Sequence, residues 1–173
     1  MPIQPLNPHD LALPSICELA DADYRALADF RFQIRRFLHF SEEAARSEGL
    51  EPQQHQFLLT VRALTGSHGG SLGPTVGEIA GHLLVRHHSA VGLADRLVER
   101  GLVERVRGDA DRRQVRIRLT TQGESALTRL SSAHRAVLLS TGPLLVKSLG
   151  ALLRQSREKP DWQRQKEDDV PKA

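Results

Sequence analysis

The fold class this sequence predicts is mainly α with one small β-hairpin, on three observations. Apolar residues recur at three- and four-residue spacing through most of the chain. Strict alternation appears once, with Val115, Ile117 and Leu119 on one face and Gln114, Arg116 and Arg118 on the other. Just before it, Thr75 to Gly101 holds two short helical patterns separated by a break at Val85–Arg86.

Taken in order, residues 1–19 are rich in proline and without period, which predicts an N-terminal arm. Residues 20–49 predict one long helix. Leu27, Phe30, Ile34, Phe37, Ser41 and Ala44 form a heptad-like seam on it, widened by Tyr24, Ala28, Leu38 and Phe40. So much apolar surface on one helix needs a partner to cover it. A second amphipathic helix starts at Pro52 and carries Phe57, Leu58, Val61 and Leu64. Residues 65–73, rich in glycine and serine, read as a flexible loop.

Thr75 and Glu78 have capping-box spacing and open a helix with Ile79, Ala80 and Leu83 on one face. The next helix turns Ala90, Leu93, Ala94 and Leu97 inward, and Gly101 ends it as a left-handed cap. Two helices joined this way make a helix-turn-helix, whose second helix can enter a DNA major groove. Leu102–Arg107 reads as a strand, Gly108 to Asp111 as a turn, and Gln114–Leu119 as the returning strand. The result is a winged helix-turn-helix over residues 50–120. Beyond it, Thr121 and Glu124 suggest another capping box, and Leu127, Leu130, His134, Val137 and Leu138 line a helix. Gly142-Pro143 is expected to break that helix. Leu144, Leu145, Leu149, Leu152 and Leu153 then form a last one, so that 121–155 supplies C-terminal dimerisation helices. Residues 156–173 are polar and charged, a composition that predicts disorder.

Net charge is +3, yet from Arg86 to Arg118 nine arginines face five acids. That local excess is the electrostatic footprint of a nucleic-acid binder. A single cysteine, Cys17, excludes an internal disulfide. No apolar run approaching the ~20 residues of a membrane span is apparent, and no basic-then-apolar leader opens the chain. The expected location is cytoplasmic, with no membrane partner. Glycine-rich phosphate loops, G-x-S-x-G and metal-ligand spacings such as H-x-x-x-H or C-x-x-C are missing, so neither an enzyme nor a metal or cofactor site is expected.

The run DRLVERGLVER, then Asp111-Arg112-Arg113, then Ile117-Arg118-Leu119-Thr120 and Gly123, resembles the MarR family of winged helix-turn-helix transcription regulators. That family has D-R-L-x-x-x-G-L-[VI]-x-R, then D-x-R at the wing tip, then L-x-L-T-x-x-G. The resemblance is close over 75–125 and looser over about 20–155. It implies a homodimer on a helical dimerisation platform built from both termini, bound to a pseudo-palindromic double-stranded operator. A repressor released by a small-molecule effector is the implied function. The effector cleft would be lined by parts of 24–40, 55–64 and 127–138.

The recognition helix would then present His87, His88, Ser89, Val91 and Gly92, with Arg96 reaching a phosphate or pairing with an acid beside it. Gly92 departs from the family, which often carries a larger polar or basic residue there. At the wing, the resemblance makes Arg113 the minor-groove arginine and Asp111 the acid that holds it. Arg112 and Arg116 complete the basic wing. The dimer contacts expected are Leu27, Phe30, Ile34, Phe37, Leu144, Leu145, Leu149 and Leu152. Two alternatives stand beside this reading. One is a winged helix used for protein–protein contact. The other is an oxidant-sensing regulator acting through Cys17, although Ile16 and Glu18 beside it offer no positive charge to activate the thiol.

Overall fold

The computed structural model describes residues 19–67, 73–107 and 115–155. Five helices and a hairpin follow in the order α1 (Asp21–Ser47), α2 (Pro52–Ser67), α3 (Val76–Leu83), α4 (His87–Glu99), β1 (Val103–Arg107), β2 (Val115–Leu119) and α5 (Thr121–Gln155). The helix α2 runs to Ser67, so 65–67 continue a helix where a loop was expected. The arm to residue 18, the tail, the wing tip 108–114 and Cys17 lie outside the described residues. Two compact units share the chain, one over 40–135 and the other over 19–39 with 136–155.

The 40–135 unit has a continuous core of Ala45, Leu50, Phe57, Leu58, Val61, Ile79, Leu93, Leu97, Val103, Ile117, Leu127 and Leu130. Every element from the end of α1 to the start of α5 contributes to it. The hairpin pairs antiparallel, Val103 opposite Leu119 and Arg107 opposite Val115. Alternation is what lets Ile117 and Leu119 enter the core while Arg118 stays out. An extra bridge ties Thr75 to Arg116, and the Ile117 N–H donates to the Pro74 carbonyl at 2.8 Å. The entry to α3 is thereby stitched to the wing. Outside the core, Arg129 closes on Glu48 at 2.7 Å, and this guanidinium holds the Glu48 carboxyl below its usual value.

Two expectations about α5 need correction. Its cap is Thr120, one residue earlier than expected. The Thr120 hydroxyl accepts from the Gly123 N–H at 3.1 Å and donates to the Gly101 carbonyl at 2.6 Å. The Glu124 carboxylate instead faces Arg62 at 3.6 Å. Nor does the helix break at Gly142-Pro143, for α5 is continuous from Thr121 to Gln155. Pro143 has no N–H for the Leu139 carbonyl and its ring crowds that carbonyl, while Gly142 removes the Cβ part of the clash with the preceding residue. The Val137 carbonyl accepts hydroxyl bonds from Ser140 and Thr141 at 2.9 and 2.8 Å. One consequence is that Thr121–Leu153 is long and apolar enough, by length and composition, to cross a membrane, contrary to the sequence expectation.

In the second unit, much of the apolar surface is uncovered. Tyr24, Leu27, Phe32 and Leu38 are exposed on α1, as are Leu139, Leu144, Val146, Leu149 and Leu153 on α5. Phe30, Ile34, Phe37, Leu145 and Leu152 are half-buried.

A histidine pair, His55 buried and His134 half-buried, lies within the 40–135 unit. His55 stacks on His134 with ring centroids 4.8 Å apart. The His134 Nδ1 sits 2.6 Å from the Leu130 carbonyl, which can only accept, so that nitrogen carries the proton. Its Nε2 then accepts from the Ser41 hydroxyl at 2.8 Å. His55 is 3% exposed and its Nδ1 has no hydrogen-bond partner. Burial, and then His134, push its pKa down to about 4. The unfolded chain therefore takes up a proton near pH 6.5 that the folded chain refuses until about pH 4. Stability should fall as pH drops through that window. In His55→Leu, urea midpoints at pH 7.5 and 5.0 should lie closer together than in the parent protein. An undiminished difference would remove His55 as the cause.

Candidate nucleic-acid interface

The helix pair is built by local chemistry. The Thr75 hydroxyl accepts from the Glu78 N–H at 3.3 Å, and Glu78 Oε2 accepts from the Thr75 N–H at 2.7 Å, so the expected capping box is complete. The turn between the helices uses Leu84 in the left-handed region, at φ 55°. Its N–H donates to Gly81 and that of Val85 to Ala80, which closes α3 as a Schellman motif. A leucine there costs about 1–2 kcal/mol relative to glycine. Gly101, at φ +66°, closes α4 in the same manner, donating to Val98 while Leu102 donates to Leu97.

The inward face of α4 is Ala90, Leu93, Ala94 and Leu97, all buried. Its register places His87, His88, Ser89 and Arg96 in solvent, with Val91 and Gly92 half-buried. Arg86 caps the helix in an extended conformation and supplies no side-chain hydrogen bond. The first-turn N–H groups of α4 are thus left without a side-chain acceptor and suit a phosphate. Sequence reasoning did not single out that uncapped start, although the lack of Ser, Thr, Asp or Asn at position 86 signals it. Between α4, the start of α3 and the hairpin lies an open hollow of about 540 Å³, lined by Thr75, His87, Val91, Arg105 and Val115 among others.

The cationic surface is smaller than a count of arginines suggests. Asp95 is taken by Arg105, which ties α4 to β1. Arg118 pairs with Glu104 directly across the hairpin at 2.7 Å. Arg100 donates to Gln54 Oε1 and to the Gly49 carbonyl, each at 2.8 Å. Arg116, expected on the basic wing, is half-buried and donates to the Gly73 carbonyl at 2.9 Å. Its guanidinium fastens β2 to the entry of α3. Arg86, Arg96 and Arg107 stay exposed and make no ion pair among the described residues. For Arg96, the acid beside it in sequence is already occupied. Asp111, Arg112 and Arg113 fall outside the described residues. Among the described residues no three His, Cys, Asp or Glu side chains converge as a metal site.

Residues 48–114 match the model of the MarR family. A curated relative, the uncharacterized HTH-type transcriptional regulator YsmB of Bacillus subtilis (strain 168), is 36% identical over 64 residues. That match covers 37% of this chain and 44% of YsmB, so the alignment spans less than half of the relative's length. Among solved structures, AbsC, a MarR family transcriptional regulator from Streptomyces coelicolor, superposes with a TM-score of 0.60 at 18% identity, covering 83% of this chain and 100% of AbsC. The S. aureus MepR F27L mutant bound to an oligodeoxyribonucleotide gives 0.55 at 18% identity, covering 84% and 91%. These likenesses establish the fold.

Proposed function

Residues 48–114 match the MarR-family winged helix, and from that premise we propose that this chain is a sequence-specific, DNA-binding transcription regulator. It works as a cytoplasmic homodimer and as a repressor that a small-molecule effector releases. The observation that carries the DNA reading is the start of α4, where His87, His88 and Ser89 stand in solvent at an uncapped helix N-terminus. Recognition helices present such N-terminal side chains to base edges. The exposed apolar stripes of α1 and α5 support the dimer, since a second copy would cover them. Leu27, Phe30, Ile34, Phe37, Leu144, Leu145, Leu149 and Leu152 are the contacts assigned to it.

Selection of bound sequences from random DNA tests the reading. A two-fold-related pair of half-sites, about one helical turn apart, is expected. Binding to the selected site should weaken steeply with salt, each neutralised phosphate adding roughly 0.9 to the logarithmic slope. With two lobes the slope should reach several units. A slope near zero on every DNA would favour the protein-contact alternative.

At the wing, Arg113 enters the minor groove and Asp111 holds it there. Arg113→Ala should cost about 1–3 kcal/mol per half-site. Asp111→Ala should also weaken binding, although Coulomb's law alone predicts a gain when an acid near phosphates is removed. The double variant should be little worse than Arg113→Ala, because coupled residues are non-additive. Fluorescence anisotropy on one operator at fixed salt measures all three. Tighter binding by Asp111→Ala would make Asp111 a turn residue and nothing more.

A further inference from the structure

Half-buried Gly92 lacks a side chain on the outward side of α4, and Arg96 reaches back toward it. A Cβ at Gly92 would meet Arg96 Nη1 at 3.7 Å. Arg96 sits one turn further on, and helical side chains lean toward the helix N-terminus. Its guanidinium therefore lies back over Gly92, level with the half of the helix that enters the groove. No acid holds it there: Asp95 is bound to Arg105, and Arg96 makes no ion pair among the described residues. His88, Gly92 and Arg96 form one stripe at four-residue spacing; a methyl group at 92 would just touch the guanidinium, and a longer side chain would compete for its place.

We propose that Arg96, laid over Gly92, is a base-reading residue that recognises one guanine in each half-site, and that Gly92 is the residue that positions it. The inference rests on the DNA-binding reading above. Its chemistry is the planar fork of two N–H donors matched to guanine O6 and N7, the arrangement by which arginine most often specifies a base. The rival role for Arg96 is a phosphate contact, which any cation in that place would make.

The test compares the parent protein with Arg96→Lys and Gly92→Leu on a panel of selected operators in which each base pair is changed in turn. Lysine keeps the charge and loses the fork. Leucine keeps Arg96 and the net charge, favours the helix, and fills the space over residue 92. In the parent protein, one guanine per half-site should be worth about tenfold or more in affinity. In both variants that preference should flatten, and the loss of discrimination should be confined to that one base pair of each half-site. A preference retained in full by Arg96→Lys would assign Arg96 to a phosphate and overturn the inference. A preference lost in Arg96→Lys but kept in Gly92→Leu would overturn the role of Gly92. A parent protein that selects no sequence would instead defeat the DNA-binding reading itself. Circular dichroism of both variants confirms the helix, and a misfolded Arg96→Lys would contradict the exposed, unpaired side chain on which the inference stands.

Discussion

Replacing Phe30 and Phe37 together with Asp should leave the protein monomeric and without specific DNA binding. Both residues lie outside the 40–135 unit, so the core around Phe57, Leu97 and Ile117 does not depend on them. Both are half-buried on an α1 face that also exposes Tyr24, Leu27 and Leu38. In the proposed dimer, two carboxylates per copy would be buried without partners, and an isolated buried charge is costly enough to prevent association. Linked half-site binding gains about 10²- to 10⁴-fold over a single lobe, and that gain disappears with the dimer. What remains should be weak, salt-dependent binding by separate winged units. Light scattering and operator titration read the two effects. An intact dimer would remove the seam from the account, and a monomer that still binds its operator at full affinity would remove the need for two lobes.

What could be read from the sequence was whatever is local and periodic. The capping box at Thr75 and Glu78, the inward register of Ala90, Leu93, Ala94 and Leu97, and the alternation through Ile117 and Leu119 each depend on a few neighbouring residues. The structure has all three. The misread points needed a competing local choice to be settled by distant partners. Thr120 and Thr121 both resemble caps, and the Gly101 carbonyl, which accepts from the Thr120 hydroxyl, decides between them. Gly142-Pro143 looks like a stop, yet α5 runs through it, with the Ser140 and Thr141 hydroxyls on the Val137 carbonyl just before the proline. The partners of the arginines were illegible for a similar reason. Composition counts their charges but says nothing of the register that sets Arg118 opposite Glu104 or brings Arg105 to Asp95. Arg116 looked available for DNA, and only the fold reveals the Gly73 carbonyl within its reach. The position of Arg96 over Gly92 was hidden too, although the spacing of four residues was visible.

Three glycine-to-alanine changes should act with opposite signs, and the sign is set by what each new methyl group meets. Helix propensity alone predicts that Ala stabilises a helical position by about 0.5–1 kcal/mol over Gly. Gly81 lies in α3, and a Cβ added there would have nothing within 4 Å, so Gly81→Ala should follow propensity and stabilise. Gly123 lies in the first turn of α5, where a Cβ would stand 2.0 Å from the Leu102 carbonyl oxygen. That oxygen also accepts from the Thr120 N–H at 3.1 Å, so it cannot withdraw without loosening the cap. Overpacking of this kind typically costs about 1–3 kcal/mol and should outweigh propensity. Gly73 carries two penalties at once. Its φ is +73°, and its Cβ would stand 2.0 Å from the Ile117 carbonyl oxygen. The left-handed conformation adds about 1–2 kcal/mol for alanine. Moving Ile117 would also disturb the bond from its N–H to Pro74 and the seat of its side chain in the core. Gly73→Ala should therefore be the most destabilising of the three, enough to threaten folding in a domain of ordinary stability. Urea unfolding at one protein concentration orders them, since association would otherwise shift the midpoints. If Gly123→Ala proves as stable as the parent protein, the close approach of α5 to Leu102 is wrong, and with it the placement of the helix that leads out of the wing.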